Sequence, residues 1–273
     1  TNRYSLPFKE EVQSWISKLS TVSEIVEQWT TVQNMWQYME AVFSGGDIAR
    51  QLPQETKRFN NIDSTFMKIV KSAAETPNIM QTCCGNELLK NLLPHLLDQL
   101  ERCQKSLSLY LESKRAIFPR FYFVSDPTLL EILSLGSNPT AVQPHFQSGL
   151  FDSLSSVTFS DPTTMTEMHS GGEKVTFEKP VVVQGNVEAW LQVLVDGMKE
   201  SLRAIIQRAY SEVNEQRLED FIFGHPAQVS LLGIQFQWTA DMQTGLMSAK
   251  NDKSIMSKTL KKVDNCLKEM VLL

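Results

Sequence analysis

Seven residues near the amino end, Val22, Ile25, Trp29, Val32, Trp36, Met39 and Phe43, recur at steps of three and four. At 3.6 residues per turn those steps put all seven on one stripe of an α-helix, whereas a strand would scatter them over both of its faces. Leu6-Pro7 before the run and Gly45-Gly46 after it supply start and stop signals. One helix is therefore expected from Val12 to Phe43, roughly 48 Å long at about 1.5 Å per residue, with Ser20-Thr21 the one point of interruption. Such a stripe is a core face, so the chain has to supply further helices to cover it.

The following segments do so. Asp47 to Pro53 reads as a connector, and Thr56 to Ala74 resumes helical spacing through Phe59, Ile62, Phe66, Ile69 and Ala73 until Pro77. Cys83-Cys84-Gly85 reads as loop. Leu88 to Ile117 carries a leucine band wide enough to be covered on more than one side, with Pro94 expected to kink or divide it. From Leu109 to Leu135 the grammar changes: Phe118, Phe121, Tyr122 and Phe123 crowd around Pro119, and Ser125-Asp126-Pro127 opens another helix. Four rings beside a proline predict a buried corner.

Asn138-Pro139, Gln143-Pro144 and Gly149 mark loop. The period then shortens, with Val157-Thr158-Phe159, Lys174 to Phe177 and Val181-Val182-Val183 reading as a small β-hairpin or three short strands, and Gly171-Gly172 as the tight turn between Met165 and Glu173. After Gly185-Asn186 a long helix is expected through Val187, Trp190, Leu194, Met198, Leu202, Ile205, Ala209 and Val213, reaching Glu215 or beyond. Phe221 to Pro226 reads as a break, Ala227 to Met247 as a helix, and Asn251-Asp252 as the cap of a last helix through Ile255, Leu260, Val263, Leu267 and Met270.

A search for chemistry finds little. Net charge is −5, which offers no general field for nucleic acid; Lys250, Lys253, Lys258, Lys261, Lys262 and Lys268 read as a solvated helix face. Cys83, Cys84, Cys103 and Cys266 have neither metal nor disulfide spacing and suit a reducing compartment. His95, His145, His169 and His225 are scattered without ligand spacing. The chain contains no Walker lysine, dinucleotide fingerprint or nucleophile elbow, so no catalytic, cofactor-binding or metal-binding residue is nominated. No apolar run approaches a bilayer span and the opening lacks a signal-peptide core, so a protein that is cytosolic or attached to something cytosolic is expected; the abrupt ends, the last within the basic helical pattern at Val271-Leu272-Leu273, make a fragment of something larger the expectation.

Particular strings carry a family resemblance. WTTVQNMWQYMEAVFSGGDIARQLPQETKRFNNID from Trp29 and CQKSLSLYLESKRAIFPRFYFVSDPTLLEIL from Cys103 resemble the linker region of dynein heavy chains. VQPHF at Val142, GGEKVTF at Gly171, GNVEAWL at Gly185, HPAQVSLLGIQFQWT at His225 and AKNDKSIM at Ala249 continue it in order. VFSGGDIARQLPQE and FPRFYFVSDP are similar to axonemal, outer-arm chains. The expected fold is then mainly α, an elongated bundle of long amphipathic helices with one small β-hairpin insertion. Its expected parts are 1–137, the amino-terminal helical part of the linker; 138–185, loop and hairpin; and 186–273, the carboxy-terminal helical part, cut before the AAA+ ring.

The resemblance implies a lever without a nucleotide site of its own, swinging over the AAA+ ring of the same heavy chain. ATP and Mg would be held by that ring. Other dynein chains and microtubules would be met through the parent protein, in the axoneme of a cilium or flagellum, with neither nucleic acid nor membrane as partner. The alternative from another class is a free-standing helical adaptor for a protein partner. Breaks at Asn138 to Gly149 and Phe221 to Pro226 are the candidate hinges, since hinge motion is absorbed at element ends.

Overall fold

The computed structural model describes residues 7–44, 46–84, 87–250, 252 and 254–272. The chain divides into two compact units, Thr1–Ser137 and Asn138–Leu273. Of the expected punctuation, Leu6, Gly45, Gly85 and Asn251 lie outside the described residues.

The first unit begins with the expected long helix, α1 (Lys9–Phe43). Ser20-Thr21 does not interrupt it: the Thr21 hydroxyl donates to the Ser17 carbonyl at 3.0 Å, so its side chain is satisfied within the helix. Val22, Ile25, Val32, Met39 and Phe43 are buried, against α3 (Pro53–Glu75) and α5 (Glu87–Ile117). Ring pairs fix α3 antiparallel to α1, Phe43 with Phe59 at 5.6 Å and Trp36 with Phe66 at 5.3 Å. Trp36 stays half-buried because its Nε1–H donates to Asp63 at 3.1 Å, keeping one edge of the indole polar.

Three readings are corrected here. The connector is a short helix, α2 (Gly46–Gln51), pinned by the buried Ile48, whose single apolar anchor leaves no periodic signal. Cys83 and Cys84 close another short helix, α4 (Ile79–Cys84), in place of a loop; Cys83 is buried, and the Cys84 thiol faces the Lys18 carbonyl at 3.7 Å. Pro94 does not divide α5, which runs on for 31 residues; the proline is on an exposed side, where water can satisfy the carbonyl it orphans. Leu89, Leu93, Leu96, Leu100, Leu107 and Leu111 form its buried band, facing both α1 and α3. A 3₁₀ turn (Pro119–Phe123) and α6 (Asp126–Ser134) complete the unit.

The second unit opens with helical turns where loop was expected: α7 (Pro139–Val142), a 3₁₀ turn to His145 and a wide turn through Leu150. Asn138 starts them, its side chain accepting the Ala141 N–H at 3.4 Å, and Val142, Phe146 and Leu150 are wholly buried. The prolines open turns here, as their fixed φ permits.

The hairpin is a three-stranded antiparallel meander, β1 (Ser156–Asp161), β2 (Thr164–Ser170) and β3 (Glu173–Val182), in the order β1-β2-β3. Met165 to Ser170, expected as part of the turn region, is its central strand. Gly171 and Gly172, with φ of +54° and +90°, make the tight turn that the Gly-Gly pair predicts. Val181 and Val182 continue β3, and Pro180 is tolerated where the register between β2 and β3 breaks.

The sheet buries Val157, Met165, Met168, Phe177 and Val181, and β3 packs on α8 (Val187–Glu212). A methyl on Gly197 would lie 2.6 Å from Val181, so glycine sets how closely strand and helix approach. Helix α8 stops at Glu212, short of the expected Glu215. It is followed by α9 (Leu218–Gly224), α10 (Ala227–Ser248) and α11 (Ser254–Leu272). Phe221 to Gly224, expected as a break, therefore belongs to a helix, and only His225-Pro226 interrupts the run. Asp252 caps α11 as expected, accepting the Ser254 N–H at 2.9 Å and its hydroxyl at 2.8 Å. Among the described residues no helix is long and apolar enough to cross a membrane.

Candidate functional site: two packed corners

Two corners, one in each unit, each gather several side-chain bonds to backbone groups. In the first, α5 ends at Ile117 and the chain reverses through the 3₁₀ turn into α6. Phe118 and Phe121 are buried and meet edge to face at 4.9 Å, while Tyr122 and Phe123 stand 55% and 75% exposed. The aromatic cluster is thus two rings deep, since a turn of three residues sends neighbouring side chains to opposite sides.

Arg115 ties this corner together. Its side chain is 14% exposed, its Nε donates to the Phe121 carbonyl at 3.4 Å, and one terminal nitrogen reaches the Val124 carbonyl at 3.5 Å and Asp126 at 2.6 Å. One planar cation thereby joins two carbonyls at the end of the turn, that of Phe121 also accepting the Val124 N–H at 3.3 Å, to an acidic group in the first turn of α6. Outside, the Tyr122 hydroxyl donates to Glu112 at 2.5 Å, which raises the phenol's pKa above its usual range. Ser125 caps α6, accepting the Thr128 N–H at 3.4 Å.

In the second corner Phe221 of α9 is buried against Gly233 of α10, where an added methyl would lie 2.5 Å from the ring. The His225 ring lies tilted by 39° against that ring, centroids 4.8 Å apart. Its Nδ1–H donates to the Phe221 carbonyl at 3.1 Å, and its Nε2 lies 3.2 Å from Glu212 at the end of α8. The buried Ser230 hydroxyl faces the Ile222 and His225 carbonyls at 3.2 and 3.3 Å. Across the unit, the Ala227 N–H that starts α10 donates to Glu173 at 2.8 Å, so the β2–β3 turn caps a helix 54 residues away. Ser201 completes the clamp, accepting the Glu178 N–H at 2.9 Å and donating to the Gly197 carbonyl at 2.8 Å.

The remaining groups singled out in the sequence are dispersed. His95 is exposed on α5, and His169 lies 2.6 Å from the Thr158 hydroxyl on the sheet. Lys262 pairs with Asp241 at 2.7 Å and Lys268 with Asp264 at 2.6 Å, one on a packing edge of α11 and one along it. Burial pushes the Cys103 and Cys83 thiols up from their ordinary pKa. A cavity of about 240 Å³ under α11 holds the Asp241–Lys262 pair, Cys266 and a buried Trp238 Nε1–H without an acceptor. Among the described residues no group of three histidines, cysteines or acids is placed to hold a metal. Periodicity could not find Arg115 or Glu173, because each acts on backbone groups that the turn geometry alone exposes.

Comparison with known proteins gives these corners a context. Residues 1–209 match the family described as dynein heavy chain, N-terminal region 2. The chain is 66% identical over 274 residues to the dynein gamma chain, flagellar outer arm, of Chlamydomonas reinhardtii, covering 99% of this chain and 6% of that protein. It is 49% identical over 264 residues to dynein axonemal heavy chain 5 of Rattus norvegicus, covering 95% and 8%. With dynein axonemal heavy chain 1 of Mus musculus it shares 37% over 273 residues, covering 99% and 6%. The chain thus spans less than a tenth of the length of these relatives.

Proposed function

Because the chain belongs to the dynein heavy chain family, we propose that it is a force-bearing part of the linker of an axonemal, outer-arm type heavy chain, working in a cilium or flagellum. In this reading the segment neither binds nor hydrolyses nucleotide. It moves over the AAA+ ring of its own heavy chain, where ATP and Mg are held, and its motion is passed to the microtubule through the rest of the motor.

The observation that carries this reading is how the long helices are joined. Helices α1 and α5, 35 and 31 residues, are held side by side along buried seams, and the exit from α5 is latched by Arg115 to three groups at once. Close-packed helices resist deformation because any bend opens voids along the seam. A body that carries load needs such seams, and it needs corners that cannot fray. Both corners meet that need with buried rings and satisfied carbonyls.

Two measurements test the proposal. The purified 273-residue chain is expected to show no saturable ATP binding or hydrolysis, and specific turnover by it would overturn the non-catalytic part. In the full heavy chain, a donor and acceptor dye placed on the linker and on the ring should change transfer efficiency with nucleotide state. A constant distance through the ATP cycle would overturn the lever.

A further inference from the structure

Every residue from Lys9 to Ser20 is exposed, and the first buried residue of α1 is Val22. These first turns are nevertheless patterned. Phe8 at the helix start, then Val12, Trp15, Ile16 and Leu19, fall at helical spacing and stand between 46% and 59% exposed. At about 100° per residue they share roughly 100° of the helix circumference, the width of a face that meets a neighbour. Val26, also exposed, prolongs the row.

The row is no overhang of the seam inside the unit. It lies roughly a third of a turn round the helix from Val22, Ile25 and Trp29, which pack inward, so lengthening that seam would leave it bare. The Lys18 ammonium lies over the Trp15 ring at 5.4 Å, and α4 brings the Cys84 thiol to the Lys18 carbonyl at 3.7 Å, yet neither takes the row out of water. Three turns of helix without packing are marginal in water, and a contiguous apolar row left open invites non-specific association. Both costs vanish only if the cover is permanent.

We infer that this row is the permanent seat of an amphipathic helix from elsewhere in the same heavy chain, outside these 273 residues, held in every nucleotide state. The relatives are more than ten times as long as this chain, so in a heavy chain of that size over nine-tenths of the polypeptide lies outside it. A tethered segment meets the row at an effective concentration of up to about millimolar, whereas another polypeptide or a second copy has to arrive from solution and give up its translational freedom. The seat calls for apolar residues at steps of three and four, forming a ridge beside Trp15, whose large ring is the natural anchor. A contact made with the AAA+ ring in one state alone would leave the row bare in the others. The amino end of α1 is thus a fixed attachment.

The test uses the full heavy chain in its native assembly, with a photo-crosslinking phenylalanine at Leu19 and a control at Ser17, on the opposite side of the helix. Adducts are mapped by mass spectrometry in heavy chains of mixed isotope label, without nucleotide, with ATP, and with ADP and vanadate. The expected adduct joins Leu19 to a helical segment of the same, singly labelled heavy chain, with yields within about twofold across the three states. Val12→Asp with Ile16→Asp, both at exposed positions, should lower that yield about tenfold. An adduct on another polypeptide, on a second copy or within these 273 residues would overturn the inference. So would a yield that follows the nucleotide, one no higher than at Ser17, or one indifferent to the two aspartates. The lever fails separately: a constant dye distance through the ATP cycle would remove it and leave this adduct standing.

Discussion

At the scale of single residues, the polar groups that matter hold carbonyls or helix ends. Arg115 is the clearest case. Arg115→Ala leaves the carbonyl of the buried Val124 without its side-chain donor and the Phe121 carbonyl with only the Val124 N–H at 3.3 Å, and it is expected to cost about 1–3 kcal/mol in chemical denaturation. Asp126→Asn should cost less, under about 1 kcal/mol, since that carboxylate is 53% exposed and screened by water. Equal losses for the two would mean that the ion pair, not the carbonyls, does the latching. Asp252 is tested by acid. The Ser254 N–H and hydroxyl hold its carboxyl below the usual range, so its contribution is complete above the ordinary Asp pKa of about 3.9 and is lost as pH falls through the folded value. The protection factor of the Ser254 amide, its exchange rate relative to the intrinsic rate at each pH, should fall on acidification, and Asp252→Ala should remove that fall. The sequence made Asp252 legible because caps have local signatures. It left Arg115 illegible because the acceptors are backbone atoms, which no side-chain pattern reports.

At the scale of elements, the long helices were legible because the periodicity of α1, α3 and α8 is enforced by burial of one face. The central strand β2 was not. Its two buried residues, Met165 and Met168, lie three apart, since the register breaks between Met165 and Glu167, and that irregularity erases the alternation by which a strand is recognised. Helix α9 was hidden by its own ending: Gly224-His225-Pro226 announces a stop, and the two turns before it are too short to show a period. Its packing also changes what the segment can do. With Phe221 buried against Gly233 and Nε2 of His225 3.2 Å from Glu212, this corner is expected to act as a plug and not a pivot. A crosslink that stiffens 221–226 in the full motor should therefore leave microtubule gliding within about twofold of the uncrosslinked protein, because there is little motion there to suppress. A large loss of gliding with ATP turnover intact would restore this segment as a hinge.

At the scale of the whole molecule, composition and periodicity give a mainly helical body and the family is that of dynein heavy chains; in the proposed reading the link between body and motor is mechanical. The corner after α5 is where that link can be tested without touching nucleotide chemistry. Phe121 is fully buried, edge to face with Phe118, so Phe121→Leu keeps an apolar side chain but loses the ring contact and leaves a small void. The cost is expected to be about 1–2 kcal/mol, enough to loosen the corner while leaving the unit folded. If the segment carries load, gliding velocity in the full heavy chain should fall several-fold under resisting force while ATP turnover changes by less than about twofold, because energy released in the ring then deforms the arm instead of moving it. Hydrogen exchange across α5 and α6 reports whether the loosening is confined to the corner. A parallel fall in gliding and turnover, with exchange unchanged beyond the corner, would show that the residue acts on the ATP cycle, and the rigid-arm account of Phe118 and Phe121 would have to be given up.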